Sequence, residues 1–148
     1  MSITVFNPFS PTFLQALTHT APIHEIPVDV LAYVGDAVFN LHCVLLSIGD
    51  GRKEVSKASL AASLWKSAEG QNRFLHSLID GLNEEEAAVV KRGRNSKGAK
   101  KRGNDPSYRN STGFEALVGY LLLSKQETRL QEILDALTRF CSESIPIP

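Results

Sequence analysis

An all-α fold is expected for this chain of 148 residues, on three observations. Apolar residues recur three and four positions apart in successive segments, the period of helices buried along one side. Nowhere do apolar and polar residues alternate over the length of a strand, and no hairpin turn joins two apolar runs. No internal repeat is present, and the length suits one domain large enough to bury its own core.

The elements follow in order. Residues 1–27 hold four of the seven prolines and form an extension, partly irregular. A short helix is expected from Ser10-Pro11, where serine caps and proline suits the first helical position. Phe13, Leu14 and Leu17 would be its buried stripe. The catalytic candidate region spans 28–141, and 142–148 is a short tail. Its first strong helix runs from about Val30 to Ile48 on Leu31, Val34, Val38, Leu41 and Leu45, with Asp29 as the expected N-cap and Gly49-Asp50-Gly51 as the stop. Phe39 and Leu46 widen the apolar surface, leaving Asp29, Asp36, Asn40 and Ser47 on a narrow polar side.

Glu54 to about Ile79 reads as two helices with their boundary near Gly70. Asn83 with Glu86 forms a capping box that starts a helix through Ala87, Val89 and Val90. The Glu84-Glu85-Glu86 run is its acidic first turn, favourable to the helix dipole. Asn95 to Tyr108, rich in Gly, Lys, Asn and Pro, is expected to be a functional or mobile loop. Phe114, Leu117, Val118, Leu121 and Leu122 mark a further helix, and Leu130, Ile133, Leu134, Leu137 and Phe140 the last.

Sixteen basic and sixteen acidic residues cancel, yet seven of the bases fall in the acid-free stretch Lys91–Arg102. The rest of the chain is correspondingly acidic, so a neutral total hides a basic segment on an acidic body. The two cysteines, Cys43 and Cys141, have no paired spacing, which disfavours a disulfide framework or zinc site and fits a reducing compartment. The four histidines show no ligand spacing. No Lys or Arg precedes Arg52, so no signal or transit peptide is expected, and no apolar run reaches the roughly 18 residues that span a bilayer. The cytosol is the expected compartment, without membrane attachment.

Two carboxylates stand out because small residues surround them. Asp36 lies in Leu31-Ala32-Tyr33-Val34-Gly35-Asp36-Ala37-Val38, where Gly35, Ala32 and Asn40 would leave space for a metal, a water and a phosphate. Glu115 has Gly119 one turn later, although Thr112-Gly113-Phe114-Glu115 also fits a capping box. Two acids able to hold a hard cation beside cations able to hold phosphate are the parts of a metal-dependent nuclease. The candidate phosphate-binding residues are Arg92, Arg94, Asn95, Lys97, Lys100, Lys101, Arg102, Tyr108 and Arg109. Arg92 and Arg94 offer forked guanidiniums. Duplex RNA, held through phosphates and 2′-hydroxyls, suits such a loop better than single strands, which favour interleaved aromatics.

The blocks Leu31–Val38, Lys91-Arg92-Gly93-Arg94-Asn95-Ser96-Lys97 and Tyr108–Leu117 together resemble Mini-ribonuclease III, the compact branch of the ribonuclease III family without a double-stranded-RNA-binding domain. The resemblance covers about residues 28 to 140. It implies a single ribonuclease III-type helical endonuclease domain, homodimeric, that cleaves double-stranded RNA with Mg²⁺ and leaves 5′-phosphate ends. It also implies a task in trimming precursor large-subunit ribosomal RNA, and leaves room for a ribosomal protein that presents the substrate. Asp36 matches the signature aspartate and Glu115 the second catalytic acid, both expected to hold the Mg²⁺. Arg92, Arg94, Asn95 and Lys97 match a motif for RNA binding or loop anchoring. Larger ribonuclease III enzymes carry more acids: here Ala32, Thr112 and Asn40 stand where acids are expected, and Asp29 lies seven before Asp36, which leaves the number of metals open. The rival readings are a non-catalytic RNA-binding or ribosome-associated helical module, and a protein-interaction domain whose basic loop meets an acidic partner.

Overall fold

A computed structural model describes residues 21–144; the helix expected at Ser10-Pro11 lies outside them. Among the described residues every regular element is helical. A 3-10 turn at Ile23–Glu25 leads into α1 (Val28–Ser47), followed by α2 (Val55–Lys66) and α3 (Ala68–Leu78). A second 3-10 turn at Ile79–Gly81 precedes α4 (Glu84–Arg94), the short α5 (Lys97–Lys100), α6 (Pro106–Leu123) and α7 (Glu127–Ser144). The boundary between α2 and α3 is Ser67, which N-caps α3 by accepting from the Gly70 amide, so Gly70 lies inside the first turn of α3.

α6 is the central element. Phe114, Ala116, Leu117, Val118 and Leu121 have no exposed surface, because α1, α3 and α4 surround the helix and α7 covers its end. Phe39 of α1 and Phe74 of α3 both meet Phe114 edge-on, at centroid distances of 5.2 and 5.3 Å, a favoured aromatic geometry.

Glycine pairs set how close the helices come. A side chain on Gly35 would overlap the carbonyl oxygen of Glu115, and one on Gly119 would overlap that of Leu31. The backbones of α1 and α6 therefore touch. On the other side of α6 a β-carbon on Gly93 would lie 2.8 Å from the α-carbon of Gly113, so α4 approaches in the same way. Gly35 and Gly119, expected to open space for a ligand, are spent instead on contact between helices. Ala32 is likewise buried, packing with Leu31, Val89 and Ala116.

Three further expectations change. α1 begins at Val28 after Pro27; Asp29 lies inside its first turn, with Oδ1 accepting from the Val30 amide, and caps nothing beyond that. α6 begins at Pro106, capped by Asp105, so Thr112 and Glu115 sit in mid-helix. The capping-box reading of Glu115 is thereby excluded, and the Thr112 hydroxyl donates to the Tyr108 carbonyl instead. Lastly, α1 is long and apolar enough by length and composition to cross a bilayer, although no such run was expected; it is the helix packed on α6.

The capping box of α4 is present, with the Glu86 amide donating to Asn83 and the Asn83 amide to Glu86. Glu86 is more than a first-turn acid: it is fully buried and grips Arg129 of α7 through bonds of 2.7 and 2.9 Å. Burial would raise the Glu86 carboxyl, but the bonds from Arg129 and the Asn83 amide more than offset it and hold the group below its ordinary range. Its contribution to stability is present above that range and is lost in acid. Arg129→Met is expected to cost about 3–5 kcal/mol by leaving a buried charge unpaired, measured by urea unfolding at neutral pH. A double replacement with Glu86→Leu should cost less than the single one.

Candidate active site

Asp36 and Glu115 lie 79 positions apart in sequence and meet where α1 crosses α6. Because Gly35 lies against the Glu115 backbone, the next residue of α1 is delivered beside the Glu115 side chain. The two carboxyls are near enough for the charge of Asp36 to act on Glu115. Asp36 is exposed and Glu115 half-buried, so the pair opens to solvent on one side. Asn40, one turn beyond Asp36, is also exposed.

The electrostatics are those of two neighbouring acids. Burial, followed by the negative charge of Asp36, pushes the Glu115 carboxyl up to about 7, with a hydrogen bond from Gln71 acting in the opposite direction. An unpaired acid pair of this kind is costly in the metal-free protein. Between its ordinary value and about 7, the folded state keeps a proton that the unfolded chain has released. Stability therefore falls as pH rises through that window. Glu115→Gln is expected to remove this loss and raise metal-free stability at pH 8 by about 1–3 kcal/mol. Denaturant unfolding of both proteins at pH 5 and pH 8 checks it; an equal pH dependence in the two would contradict it.

Two hard oxygen donors with open space beside them fit Mg²⁺, which takes few protein ligands and keeps several waters. They do not fit a closed structural zinc site, and among the described residues no cluster of three or more His, Cys, Asp or Glu could hold a metal. Cys43 and Cys141 are buried and unpaired. Burial pushes both thiols up, Cys141 to about 12, and makes them unreactive.

The basic segment is more structured than a loop. Ser96 caps α5 by accepting from the Ala99 amide, and Ala99 is fully buried. Arg92, Lys97, Lys100, Lys101 and Arg102 are all exposed, so the helical turn aims a cluster of cations at solvent. Arg102 also stacks over the Tyr108 ring at 4.9 Å.

Arg109 donates to the Arg94 carbonyl at 2.8 Å, to Asn95 at 2.7 Å and to Asn104 at 3.2 Å. It thereby ties both ends of the segment together. Asn104 adopts a left-handed φ of 62° directly after Gly103, a turn that asparagine tolerates. The Arg94 stem lies against Gly113, and its Nε is buried without a partner. Of the residues expected to bind RNA, Arg109 thus has its guanidinium, and Asn95 its Oδ1, engaged in closing the loop.

Gln71 is the residue the sequence did not single out. It is 3% exposed and acts on the Glu115 carboxyl from α3. Nothing in its local sequence signals this, because the contact depends on how α3 packs on α6.

With this geometry in view, the comparisons with known proteins are specific. A ribonuclease III domain matches residues 29–126. A Mini-ribonuclease 3 from Kosmotoga olearia is 39% identical over 111 residues, covering 75% of this chain and 77% of that protein. The chain belongs to the Mini-ribonuclease 3 family. A second Mini-ribonuclease 3, from Brevibacillus brevis, is 44% identical over 108 residues, 71% of this chain and 80% of the relative. A third, from Symbiobacterium thermophilum, is 41% identical over 117 residues, 78% of this chain and 90% of the relative. A crystal structure of a Fusobacterium nucleatum protein superposes with a TM-score of 0.71 at 22% identity, over 82% of this chain and 98% of the other. It shares the all-helical ribonuclease III-type fold. Mini-ribonuclease 3 proteins are endoribonucleases by family, and the chain is one of them.

Proposed function

We propose that this endoribonuclease cuts double-stranded RNA with Mg²⁺, as a homodimer, in the maturation of precursor large-subunit ribosomal RNA. The observation that carries the reading is the meeting of Asp36 and Glu115 at the α1–α6 crossing, in a chain whose α5 segment presents a cluster of exposed cations. An acid pair held together against its own repulsion is a poor structural device. That argues against the non-catalytic module, in which both acids would serve the fold.

Asp36 and Glu115 would hold the Mg²⁺, and the ion would polarise the scissile phosphate and lower the pKa of the attacking water. Arg92, Lys97, Lys100, Lys101 and Arg102 would bind the duplex through its phosphates and offset the negative site as the polyanion approaches. Arg109, Asn95 and Arg94 would keep that basic segment in place. The ribosomal RNA task, and a ribosomal protein as presenter of the substrate, follow from the family resemblance.

Dimerisation has support in the exposed face of α1. Val30, Tyr33, Leu41, Val44 and Ile48 form a stripe at helical spacing, with Tyr33 81% exposed. A self-complementary contact along such a stripe gives twofold symmetry. Asp36 and Asn40 flank the stripe, so the symmetry would bring two sites near one duplex, one for each strand.

The test is purified protein incubated with duplex and single-stranded RNA, in Mg²⁺ or in EDTA, with its mass measured by light scattering. Duplex cut only with Mg²⁺, 5′-phosphate ends, and a mass of two chains are expected. Salt-sensitive duplex binding without cleavage in either buffer would favour the non-catalytic module instead.

A further inference from the structure

Gln71 has a buried amide whose two ends are treated differently. Its Nε2 donates to the Lys66 carbonyl at the end of α2, at 3.1 Å, and the amide lies near enough to the Glu115 carboxyl to act against the rise of its pKa. Its Oε1 is buried without any protein donor. A buried acceptor without a partner costs about 1–3 kcal/mol, and such groups in a folded protein call for an explanation. The Lys66 bond fixes which end of the amide is the donor, so the unmatched oxygen is not a matter of a flipped side chain.

We propose that Gln71 is a positioning residue of the acid pair: its amide N–H steadies the Glu115 carboxylate opposite Asp36, and its free Oε1 is kept for the water that accompanies a divalent cation. This rests on the reading of Asp36 and Glu115 as the cation's ligands. A neutral amide suits the task because it donates to one acid without adding a third negative charge beside two that already repel. Anchoring to the Lys66 carbonyl ties the carboxylate's position to α2 and α3 as well as to α6.

The neighbouring Asn72 provides an internal control. Its side chain accepts from Asn110 at 2.5 Å, bridging the same pair of helices without a hydrogen bond to Glu115. Loosening the α3–α6 junction in general should therefore be mimicked by Asn72→Ala, whereas loss of positioning should appear only at Gln71.

Mn²⁺ binding to the intact protein is measured by calorimetry without RNA, alongside the Mg²⁺ concentration that gives half-maximal duplex cleavage. Gln71→Met is expected to weaken Mn²⁺ binding about tenfold, in the range for groups that support metal ligands, and to raise the Mg²⁺ requirement by a similar factor. Asn72→Ala should leave both within twofold. Gln71→Ala repeats the measurement if the longer apolar chain prevents folding. Unchanged Mn²⁺ affinity in the Gln71 variants, or an equal loss in Asn72→Ala, overturns the proposal. If Asp36→Asn also leaves Mn²⁺ binding intact, the assignment of the ligands fails before that of Gln71 is reached.

Discussion

Replacing Asp36 with Asn is expected to give a folded protein that binds duplex RNA and no longer cuts it. The loss should be about 10³-fold or more, because a lost metal ligand removes several kcal/mol of transition-state stabilisation and each 1.36 kcal/mol is a factor of ten. Binding, measured in EDTA, should hold within about threefold, since phosphate contacts set affinity and the cations lie on another segment. Thermal stability without metal should rise, because burial, the larger cause of the raised Glu115 carboxyl, remains but the repulsion from Asp36 is gone. The three readouts together exclude misfolding as the cause. Cleavage in Mg²⁺ at the wild-type rate would refute the site.

The second large effect is at the helix crossing. Gly119→Ala, or Gly35→Ala, places a methyl group into the backbone of the facing helix. Ordinary overpacking costs about 1–3 kcal/mol because side chains shift to absorb it. Here the obstacle is main chain, which yields only if α1 and α6 separate, so more than about 3 kcal/mol is expected. Set against the 5–15 kcal/mol typical of a domain, this is a severe loss, visible as a large drop in melting temperature by circular dichroism. The double variant should cost less than the sum of the two, because helices already parted by one methyl accommodate the second. A melting temperature within a degree or two of wild type would show that the crossing is looser than described.

Much of the fold was legible because burial writes a period into the sequence. Leu31, Val38 and Phe39, or Leu130, Ile133, Leu134 and Leu137, are spaced as a helix must space them to reach a core, and each is buried. The start of α6 was missed for an instructive reason. Asp105-Pro106 is a cap followed by a proline suited to the first turn, but the surrounding Gly, Asn and Lys resembled a loop, and the apolar period begins only at Phe114.

That the two acids come together was legible, though for a partly mistaken reason. Gly35 and Gly119 look the same in sequence whether they make room for a ligand or for another backbone, and only the facing helix decides. The charge of Arg109 marked it as an RNA contact, but gave no sign of its three acceptors, spread over Arg94, Asn95 and Asn104, which make it a clamp as well. Gln71 had no signal at all: a glutamine amide acquires meaning only from the groups that packing brings to it.

The glycine contact between α1 and α6 acts as a mechanical stop. Main chains already touching have no travel left inward, so jostling along that axis is one-sided and the gap can widen but never shrink. The stretches of main chain that carry the two acids thus have a hard lower limit to their separation, made of peptide groups, and heat or strain can shift it in one direction only.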